Sequence, residues 1–397
     1  MRVVQKYGGS SVATIEQIKK IAENIKERLQ VTSQIVVVVS AMGKTTNSLI
    51  SLSQTITKNP DKRELDVLLS TGETQTISLL AMALQEIEVP AISFMGFQAG
   101  IQTNSIHGRA FITKIDTIRI EEELVKNKVV IVAGFQGISQ DNDITTFGRG
   151  GSDTTAVALA SALKCPCEIY TDVDSVYTIN PQTFPNSKQI HKVRYDDMME
   201  MALSGTKVLE TRCVELAKKY NVSLYLGKAL NKDKGKGSFI MESTDLEQMP
   251  ITNVSIKEDI TLINLNFKSP TLVAKIFEVI KKGSINLEMF YSGKYQKQNH
   301  LSFICPNSEV DNIVKELKAL SKNIKITTFS EYVKLSIIGS GLSTHTDIAT
   351  SLFEELEKQK IPVHQIVISE ISISFTINKK DLEKAINNIA NLFQLQK

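Results

Sequence analysis

Val3-Val4-Gln5-Lys6-Tyr7-Gly8-Gly9-Ser10-Ser11 is the stretch that decides the fold. A short apolar strand meets two glycines, and a helical pattern follows from about Thr14 to Leu29. The next strand, Gln34 to Ser40, is apolar without alternation, as a strand covered on both faces should be. Outward from there, Asn47–Ile56 and Glu64–Gln85 read as helices, and Ala91–Phe94 and Val129–Ala133 as strands. Ser152 reads as the N-cap of a helix with Ala156, Leu159, Ala160 and Leu163 on one face. Glu168–Thr171 is a further strand, Tyr195–Leu203 and Val208–Tyr220 are helices, and Val222–Leu226 closes the series. This βαβα order predicts an α/β fold: a mostly parallel central sheet between two helical layers, a three-layer αβα arrangement.

The chain has 397 residues, enough for two or three domains at about 150 residues each. The texture changes near residue 230, where Asn231-Lys-Asp-Lys-Gly-Lys-Gly-Ser238 is polar and glycine-rich, an exit from the first domain. Beyond it, Ile276-Phe-Glu-Val-Ile-Lys-Lys-Gly-Ser-Ile-Asn-Leu287 recurs loosely as Leu352-Phe-Glu-Glu-Leu-Glu-Lys-Gln-Lys-Ile-Pro-Val363. Each copy follows a strand, Thr261–Asn266 or Tyr332–Ile337, and leads into two more strands and a helix. That is the βαββαβ, ferredoxin-like pattern. The expected boundaries are 1–235 for the first domain, 236–254 for a linker and first regulatory strand, and 255–328 and 329–397 for the two modules.

Hydrophobic residues at 42% and charged residues at 22% exclude disordered and low-complexity classes. A net charge of +3 argues against a nucleic-acid binder, which needs a basic stripe. No apolar run reaches the roughly 18 residues of a membrane span, and the N-terminus lacks a signal-peptide stretch, so no membrane partner and a cytoplasmic location are expected. Four cysteines, two of them in Cys165-Pro-Cys167, form neither a disulfide framework nor a zinc pattern, and no metal ligands are assigned.

Two tempting motifs fail. Gly43-Lys44-Thr45 lacks the P-loop glycine, which would fall at Val38, and Gly148-Arg149-Gly150 lacks the last glycine of a dinucleotide fingerprint, which would fall at Asp153. What remains is more informative. Lys6-Tyr7-Gly8-Gly9 at a helix entrance suits an anion, with close-approaching amides and a mobile cation. Phe147-Gly-Arg-Gly-Gly-Ser-Asp-Thr-Thr155 offers an arginine fork suited to a carboxylate. Thr171-Asp-Val-Asp-Ser-Val-Tyr177 leaves the carboxyl end of a strand, where open α/β sheets bind ligands. Ser70-Thr-Gly-Glu73 and Gly205-Thr-Lys-Val208 complete the set; alone, Glu73 and Lys207 read as ordinary surface residues.

In this order the segments, with Val39-Ser-Ala-Met-Gly-Lys-Thr-Thr46, resemble those of the aspartokinases, amino-acid kinases with C-terminal tandem ACT domains. The resemblance spans essentially the whole chain and is to the monofunctional members, with no homoserine dehydrogenase half. It implies ATP-dependent phosphorylation of the side-chain carboxylate of L-aspartate, with Mg2+, as the first step toward lysine, threonine, methionine and diaminopimelate. It implies catalytic roles for Lys6, Asp153 and Lys207. It places ATP on Lys6, Tyr7, Gly8, Gly9, Thr171, Asp172, Tyr177, Gln182, Lys207 and Val208. Aspartate would meet Thr46, Glu73, Arg149, Gly150, Gly151 and Ser152. An effector, lysine before threonine, would meet Asn266, Ser269, Leu272, Val273, Asn286, Leu287 and Glu288, in a homodimer or larger homo-oligomer built through the ACT pair. Asn180-Pro-Gln182 departs from the usual Asp-Pro-Arg, Glu210-Thr-Arg212 from a common His-Pro-Arg or His-Pro-Ala, and Lys268-Ser-Pro-Thr271 from a Pro-Gly turn. The competing readings are a non-catalytic amino-acid sensor and a kinase for glutamate, acetylglutamate, carbamate or UMP.

Overall fold

The computed structural model describes residues 1–206, 208–229, 236–242, 251–283, 287–295, 298–321 and 323–397. They form two compact units: Met1–Val176, Gln189–Ala202 and the described part of 207–245; and Tyr177–Lys188, Leu203–Thr206 and the described part of 246–397. Lys207 and Asn286 lie outside the described residues.

In the first unit, eight strands order as Lys192–Val193, Ser238–Ile240, Leu224–Lys228, Cys167–Thr171, Arg2–Tyr7, Gln34–Val39, Val129–Ala133 and Ala91–Phe94. Among the described residues, neighbouring strands of this sheet pair parallel except Leu224–Lys228 with Ser238–Ile240. The series therefore does not close at Leu226. Ser238–Ile240 adds an antiparallel strand, whose pattern is too short to read from sequence. Ile35 through Val39 are fully buried, which explains their unbroken hydrophobicity: helices cover both faces, and each such side chain contributes about 1.5–3 kcal/mol on burial.

Thr14 caps the helix Ile15–Arg28 in a capping box with Gln17, and Ile18, Ile21, Ala22 and Ile25 face the sheet. The helix Lys62–Glu86 is long and apolar enough to cross a membrane, yet Leu69, Ile77, Leu80 and Leu84 are buried inside this unit. A second sheet, Ile112–Ile115, Ile101–Thr103, Gln136–Ile138 and Ile144–Thr146, is invisible in the sequence pattern because its strands are only three or four residues long.

The helix Gly151–Ala162 starts before Ser152. Gly150 takes the cap position in a left-handed conformation (φ 67°), so Ser152 sits inside the first turn and is not the N-cap. Likewise, Val208 and Leu209 precede the helix Thr211–Tyr220, which begins after Glu210.

In the second unit, Ile260–Phe267, Leu272–Lys282, Glu288–Tyr295, Gln298–Pro306, Val310–Leu320 and Lys325–Phe329 make a complete βαββαβ module. The other module takes its outer strand, Ile251–Lys257, from before the first one; it pairs antiparallel with Tyr332–Gly339. Each sheet buries one face under its own two helices, around Ile276, Phe303 and Leu317 in one and Leu352, Phe375 and Ile386 in the other.

Candidate active site

Tyr7, Val39 and Ala133 lie in register at the carboxyl ends of neighbouring parallel strands, and Tyr7 is level with Tyr170 on the other side. The loops that leave these ends carry most of the chemistry-bearing residues of the first unit, as open α/β sheets require.

Lys6 lies near the carboxyl end of its strand, and its Nζ stands 2.6 Å from Asp153 Oδ1. Both side chains are largely buried. Asp153 comes from the first turn of Gly151–Ala162, where a negative charge also suits the helix dipole. The amide of Gly8 donates to Tyr170 O at 3.1 Å. That bond ties the turn to the neighbouring strand. Among the described residues the Gly9 amide has no acceptor, and a Cβ at Gly9 would come 2.8 Å from Ala41 O, so only glycine brings these two loops together. Gly43 N–H donates to Gly9 O at 2.9 Å across the same contact. The ring of Tyr7 is buried, stacked on Tyr170 with centroids 5.1 Å apart; only its main chain can face a ligand.

Glu73 is 3% exposed, on the helix Lys62–Glu86. Its Oε1 accepts from Ala41 N–H at 3.1 Å, while its Oε2 is buried with no hydrogen-bond partner. Burial pushes the carboxyl up from 4.5 to about 7, against the Ala41 hydrogen bond that holds it down. A buried acceptor without a donor is costly, and a cationic ligand would supply one. Thr46, half-buried, opens the helix Thr45–Ile56 just beyond this loop. Ser152 is buried beside Gly151, and Arg149 is exposed with no partner among the described residues. Gly150 is glycine by necessity twice over: its φ is left-handed, and a Cβ would overlap the Glu210 side chain.

Thr171 ends its strand and donates to Asp172 Oδ1 at 2.9 Å. Tyr177 and Gln182 belong to the second unit, where Tyr177 O accepts from Asn253. Asn180 Oδ1 accepts from Gln182 N–H at 3.0 Å; the amide oxygen closes this turn as an aspartate would. Val208 is half-buried in the first unit.

Sequence reasoning missed Asp66. It is 1% exposed and accepts from His107, from Gly108 N–H and from Thr146. It also missed Glu168, which gathers Gln5, Arg28 and Tyr170. Neither carries a motif, and their partners lie up to 163 residues away in sequence.

The effector residues sit in the second unit. Asn266 Oδ1 contacts His300 Nδ1 at 2.9 Å, Ser269 bonds Thr271 at 2.7 Å, Val273 is half-buried and Leu287 is exposed. Leu272 lies in the module's own core. Glu288 is paired within the unit. Lys257 takes its Oε1 and Lys334 its Oε2, the latter at 3.0 Å, so the carboxylate held for an effector ammonium is already held by two lysines.

The amino acid kinase family matches residues 1–228, and an ACT domain matches residues 335–393. Over 402 residues the chain is 40% identical to aspartokinase 2 of Bacillus subtilis, covering 100% of this chain and 98% of that protein. It is 39% identical over 400 residues to the aspartate kinase of Pseudomonas putida, covering 99% and 97%. Among solved structures, the aspartate kinase of Synechocystis is 33% identical with a TM-score of 0.57, covering 100% of this chain and 70% of that one. The E. coli aspartokinase III complex with aspartate and ADP shares the fold at a TM-score of 0.80, with 22% identity over 99% of each chain. The match to bacterial aspartokinases at about 40% identity covers essentially the whole length of both chains, and so the chain belongs to the amino acid kinase family as one of its aspartokinases.

Proposed function

We propose that the protein transfers the γ-phosphoryl group of ATP to the side-chain carboxylate of L-aspartate, giving 4-phospho-L-aspartate. The observation that carries this reading is the Lys6–Asp153 pair, with Lys6 on the strand that leads into the Gly8-Gly9 turn, in a chain with full-length aspartokinase relatives. A carboxylate with an ordinary pKa of about 3.9 is ionised at neutral pH and needs no general base. The difficulty is an anion attacking a polyanion, so positioning and charge stabilisation carry the catalysis. Lys6 neutralises the moving phosphoryl group, Asp153 holds the Lys6 ammonium in place, and Lys207 approaches the phosphates in the same reading. Gly9 N–H and the main chain of Tyr7 border the phosphates, and Thr171, Asp172, Tyr177, Gln182 and Val208 serve the nucleotide. Arg149, with Thr46, Gly150, Gly151 and Ser152, receives the α-carboxylate end of aspartate, and Glu73 receives its ammonium group.

Mg2+ would lower the phosphate charge as the ATP chelate. Mg2+ bound to nucleotide phosphates generally keeps several waters and takes only one or two protein carboxylates. A cytoplasmic location is part of the same reading, supported by four unpaired cysteines, three of them buried.

The test is hydroxylamine trapping with ATP, Mg2+ and single amino acids. Acyl-hydroxamate is expected with aspartate and far less with glutamate, whose extra methylene pushes the carboxylate out of line when both backbone groups are clamped. Equal turnover of glutamate, or none of either, overturns the reading.

Glu73 makes a pH prediction. Below about 7 its carboxyl is protonated in the ligand-free protein and cannot pair with an ammonium, so the KM for aspartate should rise as pH falls through that value. The linkage to stability has the opposite sense from a salt-bridged carboxylate. The folded-state value lies above the ordinary 4.5, so stability falls as pH rises from about 4.5 to about 7 and is level above. Glu73→Gln should remove both pH effects, raise Tm at pH 8 and weaken aspartate binding. An unchanged KM profile in that variant would take Glu73 out of the substrate site.

Feedback control through the ACT pair, in a homodimer, belongs to the same proposal. Two sheet edges, Glu288–Tyr295 and Val363–Ile368, carry exposed Tyr291, Ile366 and Ile368, surfaces suited to pairing with a second copy. Lysine remains the first effector and threonine the second, near Asn266, Ser269, Val273, Asn286 and Leu287, but a lysine ammonium must displace Lys257 or Lys334 from Glu288. Adding each amino acid to the trapping assay, with mass measured alongside, tests this; no change in rate at millimolar concentration leaves the pair as a structural dimeriser.

A further inference from the structure

Arg149 lies between two glycines that both adopt left-handed backbone, Gly148 at φ 76° and Gly150 at φ 67°. Its side chain is exposed and has no partner among the described residues. Nothing in its immediate neighbourhood aims it, and glycine flanks permit many backbone paths. The aim must come from the base of the loop.

That base is gripped by two charges of opposite sign from two different helices. Asp66, on Lys62–Glu86, accepts from the Thr146 hydroxyl, which ends the strand feeding Phe147 and Gly148. The same carboxylate accepts from Gly108 N–H at 3.0 and 3.1 Å and meets His107 Nδ1 at 3.0 Å, fixing the neighbouring segment 107–110. From the other side Arg212, on Thr211–Tyr220, donates to Phe147 O at 3.2 Å and to Ala110 O at 2.9 Å. Its guanidinium also lies 4.8 Å from the centre of the Phe111 ring. Ala110 N–H donates to Thr146 O at 2.9 Å, which ties the two gripped segments to each other. Asp66 and Arg212 thus hold the same two stretches of backbone, one at residues 107–111 and one at 146–147.

Buried charge is a poor way to gain stability, since packed hydrophobic residues of equal volume serve as well or better. It is a good way to fix one backbone register, because each hydrogen bond has a direction and the alternatives leave a charge unpaired. We propose that Asp66 and Arg212 are positioning residues: they clamp the root of the glycine loop and so hold Arg149 in line with the α-carboxylate of the substrate. This deepens the function proposed above and rests on Arg149 as the carboxylate-binding residue. It also gives Arg212 a task that does not depend on Glu210 and Thr211, the two residues before it that depart from the family pattern.

The test uses the full chain. Thr146→Val removes only the hydroxyl held by Asp66, and Arg212→Met removes the other arm while keeping much of its bulk; Asp66→Asn is the stronger and riskier variant. Each should raise the KM for aspartate about tenfold or more, as expected for a displaced binding group, with kcat and the KM for ATP within about twofold. Tryptic cleavage after Arg149, followed by mass spectrometry at equal Tm, should become faster in the same variants. That second readout needs no activity, so an inactive wild type would remove the aspartate reading while the clamp is still judged by proteolysis. Unchanged cleavage, or an unchanged KM for aspartate in an active enzyme, overturns the proposal. A parallel fall of Tm, kcat and both affinities would also overturn it, by showing a purely structural role.

Discussion

Replacing Lys6 by methionine should lower kcat by about 10²–10³-fold, the usual cost of removing an electrostatic stabiliser of charge that develops in the transition state. The ammonium is 2.6 Å from Asp153 at the mouth of the Gly9 turn, so it is fixed before substrate arrives and needs no reorganisation during transfer. The KM for aspartate should move little, because an interaction made mainly in the transition state appears in kcat. The same change strands a largely buried Asp153 carboxylate, and breaking such a pair on one side costs about 3–5 kcal/mol. Folding and catalysis can be separated with the double variant Lys6→Met/Asp153→Asn, which should recover most of the lost Tm and none of the lost rate. The measurements are hydroxamate formation and thermal unfolding; a Lys6 variant with near-normal kcat would remove this residue from the mechanism.

Arg149→Ala should act in the opposite way on both counts. Its side chain is exposed and has no partner among the described residues, so its loss should leave stability within about 0.5 kcal/mol of the wild type. Its contribution arises only when a carboxylate arrives. A charged hydrogen-bonded pair of that kind is worth about 1.5–3 kcal/mol, which corresponds to a rise of roughly 10- to 150-fold in the KM for aspartate. The KM for ATP should not follow. Arg149→Lys keeps the charge without the planar fork, and an intermediate KM would identify bidentate geometry as part of the recognition. An unchanged KM in Arg149→Ala would move the carboxylate site elsewhere.

The contrast between these two residues shows why motif and environment are different kinds of information. Both were picked from the sequence by the same reasoning, a cation beside glycines at a helix entrance. The structure gives one a buried partner and the other none, and that difference alone sets their opposite effects on stability.

Composition, periodicity and order of segments were enough for the layered α/β domain and the paired ferredoxin-like modules, because both follow from local facts. A buried parallel strand must be apolar on both faces, as Ile35–Val39 are, and a helix on a sheet must repeat its apolar residues every three or four positions, as Ile18, Ile21 and Ile25 do. The candidate site residues were picked out by glycines and charges where strands meet helices, and their proposed roles came from the resemblance. Tertiary structure decided what those residues are free to do. Gly8 gives its amide to Tyr170, Glu288 is taken by Lys257 and Lys334, Leu272 enters a core, and Ile251–Lys257 joins the module formed later in the chain. Asp66 finds Thr146 80 residues away. Such pairings depend on which groups are brought together once the entropy of closing long loops has been overcome by the packed core, and no local pattern in the chain encodes that choice.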